Sequence, residues 1–505
     1  MGISVGGFFS KTNSTHRSEI HFSIIGTNNN IQDLLEWLNK FSEKIEASGV
    51  IHEIQDVAEI IEGEVEEDLE GFDDGSLFPE LNDFFHHNLT IIDTDNTIQN
   101  KKFNPDFPGF NEETCFKCKF VNDLSNNSKI KERNLVQIIK NSNKKEIQKL
   151  DQVIDVYNQA YKKMLENQMS KIDVCFIVIP DIVFDNLGSI KFGSSFINLR
   201  RKLKATLISH SNSIPVQLIL ESSIKGTRKS MQDLSMTAWN FTIANYYKSG
   251  SIPWTLRIED KDTCFIGISF HKVINEDNNI LRSSIAQAFN YEGKGLVFVG
   301  KQFEWDKKIT KTAAPHLSYQ YAKELIENVI KTYQDYNEGK KPARVVIHKT
   351  TDFWNSAINT DYCEVEGFQD GIISLLGQSV EMDFVTIKTS KIKLFREIGI
   401  YPVPRGTLLK IDDVSGILYT TGYIPYYELY PGVHMPKALS IDIYEGDSTL
   451  RKICMEILAL SKMNFNNCNY YDSLPITIRF AKRVGEIIQY FPIDKTPPNR
   501  YFYYM

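Results

Sequence analysis

The stretch that most constrains the fold is Val174-Cys175-Phe176-Ile177-Val178-Ile179-Pro180, a short apolar run closed by a proline. A run of this length and composition reads as a strand buried on both faces. Just before it, from Lys145 on, Ile147, Leu150, Ile154, Tyr157, Tyr161 and Leu165 recur at three- and four-residue steps, the period of an amphipathic helix. After it come a basic helical stretch (198–209), a second apolar strand (215–220) and a helix over about 231–247. Strand and helix in alternation predict a parallel, Rossmann-like α/β unit with ligands at the carboxyl ends of its strands.

The second half has a different rhythm. Three strands (264–270, 283–291, 295–303) follow one another across short turns, which predicts an antiparallel meander. A helix comes next, with Ser318 as N-cap, an apolar face of Ala322, Leu325, Ile326, Val329, Ile330 and Tyr333, and Gly339 at its end. Then come a strand over 343–348, a short irregular connector and a strand over 382–388. Three antiparallel strands, a helix, a strand, a connector and a strand is the element order of an RNase H-like fold. The first ~150 residues read as loop-heavy, with insertions, and support no boundary.

Charge sharpens the picture. The 505 residues carry 57 Lys and Arg against 64 Asp and Glu, a net −7 that argues against a nucleic-acid partner. The distribution is uneven, however. Residues 53–74 hold eleven acids and no Lys or Arg, whereas residues 191–250 hold nine cations against two acids. Within the basic segment Arg200 and Lys204 share a helix face, Gln217 lies just inside the following strand and Lys248 closes the next helix. Converging cations suit a phosphate, and a solvated basic face is the alternative. The seven cysteines are scattered, and the spacing of Cys115 and Cys118 lacks the further ligands a zinc site needs, so reduced thiols are expected. No apolar span reaches the ~20 residues of a membrane helix, and the first residues lack a signal peptide's pattern, so a cytoplasmic protein is expected.

Several segments resemble, in order, the MID-to-PIWI passage of an Argonaute. They are Ile214-Pro215-Val216-Gln217, residues 246–254 (YYKSGSIPW), Phe265-Ile266-Gly267-Ile268, Val345-Val346-Ile347-His348-Lys349, Pro404-Arg405-Gly406-Thr407, residues 460–466 (LSKMNFN) and 474–481 (LPITIRFA). Because the chain leaves no room for N-terminal and PAZ domains, it looks like a short prokaryotic Argonaute. The resemblance implies a Rossmann-like MID domain with an N-terminal extension over 1–252 and an RNase H-like PIWI domain over 253–505. It places the pattern that binds a guide's 5′ phosphate on Arg200, Lys204, Gln217 and Lys248, with Arg200 where many relatives carry Tyr. It implies that the carboxylate of Met505 helps to hold a magnesium ion at that phosphate, and that Arg228, Lys229, Lys349, Arg405, Arg479 and Lys482 face the guide–target backbone. A merely packed aromatic tail, and solvated surface charges, are the bland readings of these same residues.

The two metal-holding acids of a catalytic PIWI domain would align with Ser269 and Thr350, and neither hydroxyl can replace a carboxylate at a hard divalent cation. Asp352 and Asp262 are the nearest acids in sequence. An inactive PIWI domain is therefore expected, with no enzymatic activity in this chain. The resemblance further implies a guide-RNA-loaded sensor that pairs its guide with invading single-stranded DNA. It would activate an APAZ-containing partner of TIR or sirtuin type, a heterodimer in which the partner is an NADase. The alternatives are a PIWI nuclease that cuts the target itself, the guide-binding subunit of an APAZ-nuclease pair, and an interaction scaffold.

Overall fold

The protein is described by a computed structural model over residues 2–12, 15–47, 105–193, 195–227, 232–256, 262–272, 281–289, 295–305, 310, 312, 314–399, 401–425, 430, 435–468, 472–492 and 494–505. The acidic tract 53–74, Arg228 and Lys229 lie outside the described residues.

The first sheet is built from β1 (Glu19–Gly26), β2 (Lys119–Asn122), β3 (Ser128–Lys129), β4 (Val174–Ile179) and β7 (Val216–Leu220), while β5 (Ser189–Phe192) and β6 (Ser195–Asn198) form a separate hairpin. Its order is β2-β1-β4-β7, with β3 also pairing β1, and every pair is parallel. All six residues of β4 are buried, as an unbroken apolar run requires. The helix Glu146–Glu166 supports it, and the Tyr157 hydroxyl donates to the Val178 carbonyl over 3.0 Å.

The reading of the N-terminal residues as an extension needs correction. Strand β1 lies inside the sheet, between β2 and β4, with Ile20, Phe22, Ile24 and Ile25 buried. The helix that follows, Asn28–Phe41, is capped by Thr27, whose side chain accepts from the Asn30 amide. Beyond that helix Ile45 and Phe107 exchange two backbone hydrogen bonds of 2.9 and 2.8 Å, joining the chain on either side of residues 48–104.

The second sheet comprises β8 (Thr263–Lys272), β9 (Leu281–Phe289), β10 (Gly295–Glu304), β11 (Arg344–Lys349), β12 (Glu381–Thr389), β13 (Leu408–Lys410), β14 (Ser415–Leu418) and β15 (Leu439–Gly446). Its order is β10-β9-β8-β11-β12-β15-β14-β13. The meander β8–β10 is antiparallel and β8, β11 and β12 run parallel, so the RNase H-like arrangement stands. Helix Tyr319–Tyr336 buries the six predicted apolar residues, and the Ser318 side chain accepts from the Tyr321 amide.

The connector expected to be irregular contains a helix instead, Glu364–Leu376. Its glycines are contact points. A Cβ at Gly367 would collide with the Tyr319 carbonyl, and one at Gly371 with the Ile326 side chain. The opposite face of the sheet carries helix Ile476–Ile488, where Gly267 of β8 meets the Thr477 backbone and Gly485 meets the His271 ring. One apolar cluster, including Leu203, Tyr247, Phe465, Phe480 and Tyr501, joins the two sheets.

Gly267→Ala therefore pushes the helix Ile476–Ile488 off its strand. A loss of about 1–3 kcal/mol is expected in urea unfolding, the ordinary cost of overpacking a close contact. A midpoint unchanged from the parent would show that this contact is not tight.

Candidate functional site

Three of the four residues expected at a phosphate come together between β7 and two helices. Helix Leu199–Ile208 starts from the Asn198 cap and presents its cations in several directions. Arg201 pairs with Glu486 at 3.0 Å and Lys202 with Asp151 at 2.6 Å, whereas the Lys204 ammonium donates to the main-chain oxygen of Met505. Arg200 stands one turn before Lys204, half-buried.

Gln217, buried on β7, accepts from the Lys248 ammonium, which also reaches the Val216 carbonyl at 3.3 Å. Burial, followed by the nearby Lys204 charge, holds the Lys248 ammonium well below the ordinary lysine range. Two ammonium groups thus lie buried and close enough to repel one another. That arrangement calls for an anion.

Met505 is delivered by the tail. Tyr501 is buried and stacks on Phe480 with centroids 3.6 Å apart, and Phe502 meets Tyr247 edge-on. The Tyr503 hydroxyl donates to the Ser213 carbonyl over 3.1 Å. Tyr247, next to Lys248, in turn stacks on Phe465 at 4.2 Å. The tail therefore crosses from the second sheet to the cation pair along an aromatic path.

A second locus lies at the carboxyl ends of β8 and β11. Ile268 is paired with Lys349, the last residue of β11, so Ser269 and Thr350 are the residues that follow this last pair. The Ser269 hydroxyl is 3.0 Å from Nε2 of His271. His348 is fully buried with Nδ1 2.9 Å from the Thr477 hydroxyl, and its pKa is pushed down to about 3, chiefly by burial. Asp352 is exposed and bound to Lys388 at 2.6 Å, and Asp262 precedes the first residue of β8, at the far end from Ser269. Among the described residues no group of three or more His, Cys, Asp or Glu is placed to hold a metal ion.

The cations expected along a nucleic-acid backbone divide sharply. Lys482 is exposed. Lys349 is not: it is fully buried and paired with Glu364, whose carboxylate also takes the His316 ring at 2.9 Å and the Leu317 amide at 3.0 Å. A backbone contact by Lys349 is thus corrected to an internal ion pair. Arg479 is mostly buried against Asp472, and Arg405 donates to the Leu458 carbonyl at 2.8 Å and the Ser461 hydroxyl at 2.7 Å, at the end of helix Leu450–Leu460. Both act first as internal braces. Glu364 and Asp472, the partners of Lys349 and Arg479, carry no signal in the sequence.

No family model matches the chain, and no curated protein matches it. Solved structures do. Clostridium butyricum Argonaute bound to a guide DNA (5′ deoxycytidine) and a 19-mer target DNA superposes with a TM-score of 0.54 at 16% identity, over 99% of this chain and 52% of that one. The chain has an Argonaute fold. The Argonaute of A. aeolicus gives 0.49 at 15% identity over 99% and 52%, and the same protein with externally bound siRNA gives 0.48 at 14% over 96% and 51%. The chain spans about half the length of the Argonaute structures it matches. Its Rossmann-like part corresponds to a MID domain and its RNase H-like part to a PIWI domain. No helix among the described residues is long and apolar enough to cross a membrane.

If Lys349 is a strut, Lys349→Ala strands a buried carboxylate and lowers stability by about 3–5 kcal/mol. Nucleic-acid affinity, measured by filter binding where the variant stays folded, should match the parent. A tenfold loss there would return Lys349 to the interface.

Proposed function

We propose that the protein is a guide-loaded nucleic-acid sensor. The observation that carries this reading is the convergence of Lys204, Gln217 and Lys248, with Arg200 one turn away and Lys204 holding the Met505 oxygen. A 5′ phosphate suits two buried lysine side chains set close together, being a multiply charged anion with several acceptor oxygens. Lys204 and Lys248 would donate to its oxygens, and Gln217 would hold the Lys248 chain in place. A magnesium ion fits only alongside the phosphate, because Met505 supplies one hard oxygen and the phosphate must supply others; the ion would neutralise charge between them.

The likeness to an Argonaute holding guide and target DNA supports guide-directed nucleic-acid binding. Within that frame we assign a 5′-phosphorylated guide RNA and an invading single-stranded DNA target, with sequence read by base pairing. Ser269 and Thr350 at the two strand ends support a PIWI domain that does not cut. Target recognition would then act through an APAZ-bearing partner of TIR or sirtuin type, whose NADase activity depletes NAD and arrests the infected cell. Incubating the purified chain, guide and labelled target with magnesium or manganese distinguishes this from a self-sufficient nuclease, for which specific cleavage is the expected result.

The core of the reading is tested by comparing 5′-phosphorylated and 5′-hydroxyl guides. The parent should prefer the phosphate, and Lys204→Ala combined with Lys248→Ala should remove that preference; equal binding of both guides by the parent overturns it. The depressed Lys248 proton affinity adds a sign. A bound phosphate dianion favours the charged ammonium, so wherever the free Lys248 amine has lost its proton binding takes one up, and over that range affinity falls as pH rises while the phosphate remains a dianion. Calorimetry in buffers of different ionisation enthalpy reads the uptake directly.

A further inference from the structure

Most of the described large apolar side chains of the RNase H-like part are covered, but the stretch after β12 leaves three exposed. Between β12 and β13, over residues 390–399, Ile392 is 45% exposed, Phe395 74% and Ile398 81%. Lys391, Lys393 and Arg396 are interleaved with them, against the single acid Glu397, and all four are exposed. Folding gives no reason to display these side chains. The backbone beneath them is nonetheless held: the Leu394 amide donates to the Tyr419 hydroxyl at 2.7 Å, and that hydroxyl reaches the Ile392 carbonyl at 3.3 Å. The Arg396 guanidinium lies 5.4 Å from the Tyr423 ring, itself stacked on Tyr401 at 4.9 Å.

Position adds the second argument. Strands β8, β11 and β12 are parallel, with Ile268 level with Lys349 and Lys349 level with Thr386. Residues 390–399 therefore leave the sheet at the same end as Ser269 and Thr350, where ligands of parallel sheets collect. Basic side chains beside an aromatic ring on an open surface suit a flexible polyanion that carries flat bases.

We propose that residues 390–399 form a contact for a single-stranded stretch of nucleic acid, Lys391, Lys393 and Arg396 meeting phosphates and Phe395 stacking on an unpaired base. Ile392 and Ile398 flank that base as apolar walls. Charge decides between this occupant and a protein: within 390–399 three exposed cations stand against one acid, a balance that suits a polyanion. The inference rests on the guide-binding reading above, and the experiment separates the two.

Binding of a 5′-phosphorylated single-stranded oligonucleotide, and of its 5′-hydroxyl twin, is measured over a salt series for the parent, for Lys391→Glu with Lys393→Glu, for Phe395→Ala and for Phe395→Trp. Thermal melts of each variant exclude a folding defect. The charge reversal should weaken binding and flatten the salt dependence by about 0.7 in slope for each phosphate that is no longer neutralised. Phe395→Ala should weaken binding about tenfold with the slope retained, and Phe395→Trp should restore it. A parent that prefers the phosphate while the loop variants bind with unchanged affinity and slope overturns this inference and leaves the guide-binding reading standing. That holds also where those variants instead lose self-association or partner binding. A parent blind to the phosphate overturns the guide-binding reading first.

Discussion

Two buried ammonium groups near one another set the terms for the seam between the two domains. Removing a charge from water is costly, and placing a like charge beside it costs more, unless oxygen atoms are supplied at the right points. The protein supplies them from distant parts of the chain. Gln217 and the Val216 carbonyl come from the adjacent strand, while the Met505 oxygen comes from 301 residues beyond Lys204. The stacked rings of Phe480 and Tyr501, and of Tyr247 and Phe465, are what bring that last oxygen across, so the packing of one domain fixes the electrostatics of the other.

Much of the framework is legible in the sequence because it rests on local rules. The unbroken run at 174–179, the three-four spacing of Leu150, Ile154, Tyr157 and Tyr161, and the Ser318 cap each describe one element by its own residues. Helix Glu364–Leu376 escaped this logic because Gly367 and Gly371 answer to a neighbouring helix rather than to their own. Strand β1 escaped it for another reason: Ile20, Phe22 and Ile24 alternate correctly, but the polar, Asn-rich stretches around them hide so short a pattern.

Cations show where such reading stops. Lys204 and Lys349 both sit in apolar, strand-and-helix surroundings, and nothing local distinguishes them. Lys204 meets the Met505 oxygen and lies near a second lysine, whereas Lys349 meets a side-chain carboxylate, and the difference is decided by the chain's last residue, by Lys248 and by Glu364. Residue type and spacing locate a charge on an element. Only the tertiary fold says whether that charge has already been answered from within.

The reciprocal hydrogen bonds between Ile45 and Phe107 carry a consequence for how such a chain can change over time. They join the chain on either side of residues 48–104, so the domain meets a closed junction there. The entropic cost of bringing two points of a chain together grows only with the logarithm of the length between them. Segments could thus be lengthened, shortened or exchanged at this point with little effect on the sheet. The junction acts as a socket: a place where the lineage can acquire new surface while the parallel sheet inside is left alone.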